Sequence, residues 1–225
     1  MRTTLPSGRP AALAEPSTGE AVAGLVIIPD LWGLRPLFED MAARLADENR
    51  WRVVVVEPLT ETGLGSDPSV DFPARAAAMR GLDDTEYLDD IVAAADATHC
   101  DRVGVIGFCA GGMYVLKVAA RGRFERAVAF YGPIRVPDHF RGAGHVAPLE
   151  AMSQPGATPV LAVIGGQDDL TPPDDVAALD AFEHVTIASY PDAGHGFVHD
   201  PSRPAHRPDD AADAWARAIT FLGST

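Results

Sequence analysis

A thiol, an imidazole and a carboxylate can together cleave an acyl bond, provided the chain brings them into contact. This sequence offers such a set. Cys109, one of only two cysteines, sits in Gly107-Phe108-Cys109-Ala110-Gly111. That is the G-x-nucleophile-x-G spacing of a nucleophile at the tip of a sharp strand-to-helix turn, with sulfur where serine is usual. Glycines two before and two after remove the Cβ atoms that would hold strand and helix apart. The helix that starts there turns its first N–H groups and the positive end of its dipole toward the sulfur, which favours negative charge. The Ala110 N–H becomes one donor for a developing oxyanion. The N–H of Leu31, in the loop after an earlier strand, becomes the second.

The partners follow in the chain order nucleophile, acid, histidine. His195, in Ala193-Gly194-His195-Gly196-Phe197, is the one histidine of seven in a Gly-x-Gly setting after an apolar run. It is the expected base. Gly165-Gly166-Gln167-Asp168-Asp169 holds adjacent aspartates whose side chains cannot point the same way. Asp168, nearer the strand end, is assigned to orient His195; Asp169 is left to cap the turn or face water. Asp30, in Pro29-Asp30-Leu31-Trp32-Gly33, is either a turn former or a negative group able to modulate ionisation of the thiol. His195, His199, Asp200 and His206 include the H-x3-H separation of a metal site. That spacing needs a helix, which Gly196, Pro201 and Pro204 oppose. Neither a metal nor an organic cofactor is expected.

The elements that must position these groups are legible as short apolar runs lacking period-2 alternation, the pattern of strands buried on both faces. They cover 24–29, 52–58, 102–108, 126–132, 159–166 and 185–191. Amphipathic or apolar helical patterns lie between and after them at 37–49, 84–98, 110–122, 174–184 and 209–222. The 84–98 helix opens with Asp84 or Thr85 as N-cap, and Asp174 and Asp175 mark the N-cap region behind Pro172-Pro173. Strands alternating with helices predict an α/β fold with a mostly parallel sheet. The first sixteen residues read as an antiparallel edge hairpin turning at Ser7-Gly8. Residues 133–158, rich in Pro, Gly and His, are expected as an irregular segment over part of a cleft. In such sheets sites gather at the carboxyl ends of the strands, where Asp30, Cys109, Asp168 and His195 all fall.

A length of 225 residues without a break in composition predicts one domain, 1–225. A net charge of −14 with no basic run argues against nucleic-acid and anionic-membrane partners. The acidic clusters at 82–90 and 207–215 read as solubilising surface. No apolar span approaches the ~20 residues of a membrane helix. The N-terminal stretch lacks a continuous apolar segment of signal-peptide length, so a cytoplasmic setting is expected. Cys100 and Cys109 flank one predicted strand, which sets their sulfurs more than about 20 Å apart, too far for a disulfide.

In order and spacing, GFCAGG, GGQDDLTP and DAGHGFVH resemble the dienelactone hydrolases, cysteine-dependent members of the α/β-hydrolase superfamily. The resemblance extends through IIPDLWGL and AFYG to the last helix. It implies an α/β-hydrolase fold, with the central sheet flanked by helices on both faces. Cys109 is then nucleophile, Asp168 the orienting acid, His195 the base, and Leu31 and Ala110 the oxyanion donors. It also implies a small ester or lactone substrate, opened through a thioester and released by water, in a monomer or small homo-oligomer. Two departures stand out. The family's glutamate, thought to hold the resting thiol, is replaced by the shorter Asp30. Its substrate-gripping arginine four residues after the histidine is replaced by His199. Arg75 or Arg80 matches a second family arginine, in a 60–82 stretch shorter than in the well-studied members. Alternatives left open are a carboxylesterase or thioesterase of neutral substrates, a non-catalytic binding protein of the same fold, and a redox-sensing Cys109.

Overall fold

The computed structural model describes residues 1–59, 67 and 69–223. One eight-stranded sheet organises it: β1 (Arg2–Thr4), β2 (Pro10–Ala14), β3 (Ala23–Ile28), β4 (Trp51–Val56), β5 (Val103–Phe108), β6 (Arg126–Phe130), β7 (Val160–Gly165) and β8 (Val185–Tyr190), in the order β1-β2-β4-β3-β5-β6-β7-β8. β1 and β2 form the expected antiparallel edge hairpin, and β3 through β8 pair in parallel. Runs such as Val53–Val56 suit this place, because β-branched side chains fill both faces of a covered sheet.

Among the described residues seven α-helices connect and cover the strands: α1 (Pro36–Asn49), α2 (Phe72–Gly81), α3 (Asp84–Ala97), α4 (Ala110–Val118), α5 (Pro148–Met152), α6 (Pro173–Asp180) and α7 (Pro208–Gly223). Alternate strand residues feed two cores. Leu25, Ile27, Val53 and Phe108 pack with Phe38, Leu45 and Ala214 from α1 and α7. Val26, Ile28, Val54 and Val105 pack with Ile91, Met113, Met152 and Leu179 from α3 to α6. The helices thus lie on both faces of the sheet, which is the α/β-hydrolase architecture. No described helix is long and apolar enough to cross a membrane.

Several local expectations need correction. Residues 72–81 form α2, started by Pro73 and by Asp71, whose side chain accepts from the Ala74 N–H at 3.0 Å. Of the shortened 60–82 stretch, residues 60–66 and 68 lie outside the described residues. The 133–158 segment contains α5, and its middle packs on α2: Arg80 donates to the His139 carbonyl, and His145 bonds the Met79 carbonyl at 2.8 Å. Asp83, not Asp84 or Thr85, caps α3. Asp84 points inward and accepts from Lys117 Nζ (2.8 Å), the Tyr114 hydroxyl (2.8 Å) and the Val146 N–H (2.7 Å). Asp90, in the same acidic run, is buried against Arg9. These carboxylates are structural counter-ions, because Lys117 and Arg9 are buried and need them. Asp174 and Asp175 occupy the first turn of α6 while Pro172 stands at its N-cap.

Both cysteines are free. Cys100 lies before the amino end of β5, its thiol directed at the Thr98 carbonyl, and Cys109 follows the carboxyl end.

Candidate active site

The carboxyl edge of the parallel strands gathers the chemistry. Asp30 follows β3, Glu57 follows β4, Cys109 follows β5, Tyr131 follows β6, Asp168 follows β7 and His195 follows β8. β4 and β5 lie on opposite sides of β3, so successive connections diverge beside Asp30 and Cys109. Such a reversal opens a crevice at the sheet edge.

Cys109 is the N-cap of α4, with φ 54 and ψ −118. A side-chain-bearing residue at positive φ is strained, by about 1–3 kcal/mol, and persists only where its surroundings fix it. Here they do. The Cys109 N–H donates to the Phe130 carbonyl at 3.1 Å, and its carbonyl accepts the Met113 N–H at 3.1 Å. The flanking glycines act through space rather than φ. A Cβ on Gly107 would stand 2.3 Å from the Gly111 carbonyl oxygen, and one on Gly111 would stand 2.1 Å from that of Ile28. Gly112 is more than a neutral neighbour: its Cβ would meet the Gly132 Cα at 2.8 Å, so α4 also presses on the end of β6.

The contact of Gly111 with Ile28 and Pro29 brings the start of α4 against the loop carrying Leu31. Among the described residues neither the Leu31 nor the Ala110 N–H has a protein acceptor. Unpaired backbone donors of this kind are the groups that stabilise a developing oxyanion.

His195 Nδ1 bonds Asp168 Oδ2 at 2.8 Å. Asp168 is buried and Asp169 exposed, as their order along the strand end implies. The other imidazole nitrogen, Nε2, is buried with no hydrogen-bond partner. Burial would lower the proton affinity of this ring. The bond to Asp168, together with Cys109 close by, more than offsets that and raises the pKa to about 10. The geometry favours a protonated imidazole beside the Cys109 sulfur.

Asp30 is engaged elsewhere. Its carboxylate accepts two bonds from Arg35, at 2.6 and 3.0 Å, one from the Trp32 N–H at 2.9 Å, and one from His199 Nε2 at 2.9 Å. Burial would raise its pKa, but His199 and Arg35 hold it well below the usual carboxylate range. His199 Nδ1 in turn meets the Tyr131 hydroxyl at 2.5 Å. With both nitrogens committed and its side chain sealed from solvent, His199 has no donor left for a substrate carboxylate.

The two candidate arginines separate. Arg75 is buried, donates to the Val70 and Asp67 carbonyls, and lies 5.0 Å over the Trp32 ring, next in sequence to Leu31. Arg80 is exposed and faces the 133–147 segment. Sequence reasoning missed Arg35, Glu57 and Tyr131. Glu57 fixes the loop carrying Leu31 by accepting the Leu34 N–H at 2.9 Å. Arg35 could have been suspected as the charge complement five residues after Asp30, and Tyr131 from its place at a strand end.

A model of the dienelactone hydrolase family matches residues 10–225. The chain belongs to this family. It is a hydrolase of carboxylic esters or lactones. It is 30% identical to a carboxymethylenebutenolidase of Rhodococcus opacus over 88% of this chain and 79% of that one. It is 27% identical to carboxymethylenebutenolidase 2 of Cupriavidus pinatubonensis over 89% and 83% of the two chains. A Klebsiella pneumoniae protein crystallised as a candidate dienelactone hydrolase has the same fold, with TM-score 0.89, 24% identity, and 100% and 98% coverage.

Proposed function

We propose that this family member opens activated esters and lactones through a thioester on Cys109. The reading rests on one arrangement: an imidazole bonded to Asp168 at 2.8 Å, its other nitrogen buried and unpaired, beside a thiol on a strained turn. The thiolate adds to the carbonyl carbon, and the oxyanion is received by the Leu31 and Ala110 N–H groups, each worth roughly 3 kcal/mol. As the tetrahedral adduct collapses, the carbon–oxygen bond breaks and the His195 imidazolium gives its proton to the leaving oxygen. Neutral His195 then takes a proton from water, whose oxygen attacks the thioester. The acid departs and the thiolate–imidazolium pair is restored. Enol lactones suit this chemistry because a delocalised enolate leaves readily, and the carboxymethylenebutenolidase names of the relatives point the same way. Arg75, buried over Trp32 and bonded to backbone carbonyls, favours an anionic substrate through its field rather than by contact. A nucleophilic thiol works where thiols stay reduced, which fits a cytoplasmic setting.

A second reading, a neutral ester or thioester substrate, is favoured by the commitment of His199 to Asp30 and Tyr131. Turnover of dienelactone and of p-nitrophenyl acetate by wild type and Cys109→Ala tests both readings. Loss of at least about 10^3-fold on both substrates in the variant supports the thioester route. Undiminished turnover refutes it. Preference for the aryl ester over dienelactone selects the neutral reading.

A further inference from the structure

The Asp30–His199–Tyr131 chain is absent from the mechanism above, yet it spans the site. Its first link is Asp30, which accepts the Trp32 N–H, next in sequence to the Leu31 donor. Its last is Tyr131, whose ring meets that of His195 edge-on at 5.3 Å and 68°. Between them stands His199, 169 residues from Asp30 along the chain. The hydrogen positions follow from the partners. Burial holds the Tyr131 phenol well above its ordinary pKa, so it keeps its proton and donates to Nδ1. His199, also buried and held below the ordinary imidazole range, is then neutral with its hydrogen on Nε2, which donates to the Asp30 carboxylate. Each polar group in the chain is satisfied. The ring itself is clamped: Phe38 stacks on it at 5.8 Å and 17°, and Phe108, adjacent to Cys109, lies at 5.1 Å. Tyr131 has φ 39, a conformation that only a fixed setting sustains.

We propose that His199 is a positioning residue: it straps the loop carrying the Leu31 oxyanion donor to the tyrosine that buttresses His195, so the two halves of the site keep one spacing. The inference rests on the triad reading above. Oxyanion donors act only within a few tenths of an ångström of their best position, and a base misplaced by 1 Å loses about 10^2-fold. A neutral ring with opposed donor and acceptor is suited to bridging; it offers nothing to substrate.

The test is steady-state hydrolysis of p-nitrophenyl acetate by His199→Phe, Tyr131→Phe and His199→Gln, with Cys109→Ala as control and circular dichroism as a check on folding. Phenylalanine at 199 keeps an aromatic ring but removes both bonds. Glutamine restores one donor and one acceptor about as far apart as the ring nitrogens. The strap predicts that kcat falls about 10- to 100-fold in His199→Phe with KM within about 3-fold, and that His199→Gln recovers most of it. Tyr131→Phe, which loses one hydroxyl, falls in between and carries the test alone should His199→Phe not fold. Wild-type kcat in folded His199→Phe or Tyr131→Phe, a purely KM effect, or a His199→Gln no better than the phenylalanine variant overturns the proposal. Turnover surviving in Cys109→Ala instead overturns the triad on which it rests.

Discussion

The proton on His195 is governed by two neighbours of different kinds. Asp168 acts through a 2.8 Å hydrogen bond and Cys109 through its nearby sulfur; against burial, they raise the imidazole to about pKa 10. Removing either must lower that value. A histidine NMR titration is therefore expected to find the His195 pKa lowered both in Cys109→Ala and in Asp168→Asn. A value unchanged in Cys109→Ala would separate the sulfur from the base. Asp168→Asn is also expected to cost about 10^2- to 10^4-fold in kcat, because an amide there favours the wrong tautomer. Asp30, by contrast, is held by Arg35 and His199, so the gating role implied by the family's glutamate finds no free carboxylate here.

Parallel strands were legible because continuous apolar runs admit little else, and the glycine-bracketed Cys109 and His195 stood out at their ends. α2 was not, since its buried side is built from alanines, one methionine and Arg75, which give no apolar stripe. Nor was the inward turn of Asp84, because an aspartate in an acidic run looks solvated until its partner, 33 residues later on α4, is placed. That pair ties α3 to α4, the helix that Cys109 caps. Asp84→Asn leaves Lys117 buried without its counter-charge, and an urea titration is expected to find about 3–5 kcal/mol lost. Backbone crowding gives a sharper contrast. Gly107→Ala must displace the Gly111 carbonyl and is expected to cost about 3 kcal/mol or more. Gly81→Ala meets nothing within 4 Å at the end of α2 and is expected to gain about 0.5 kcal/mol. Equal effects in the two variants would contradict the close approach at the elbow.

Across the molecule, three histidines set opposing limits on stability. His199 and His145 have covered side chains and are held below the ordinary imidazole range, burial being the main cause. The unfolded chain takes up their protons below pH ~6.5, so their contribution is complete above that point and fades as pH falls. His195 runs the other way. Its stabilisation is complete below ~6.5 and is lost as pH rises through about 10. Stability measured by denaturant is expected to peak near pH 6–8, with a flatter acid limb in His145→Gln and a flatter alkaline limb in Cys109→Ala. A Cys109→Ala curve identical to wild type above pH 8 would refute the alkaline assignment. The two cysteines, at opposite ends of β5, carry a different implication. Peroxide striking Cys109 would leave a sulfenic acid with no second thiol of its own chain in reach, so repair falls to small thiols outside. The enzyme's working life is thereby tied to the reducing power around it.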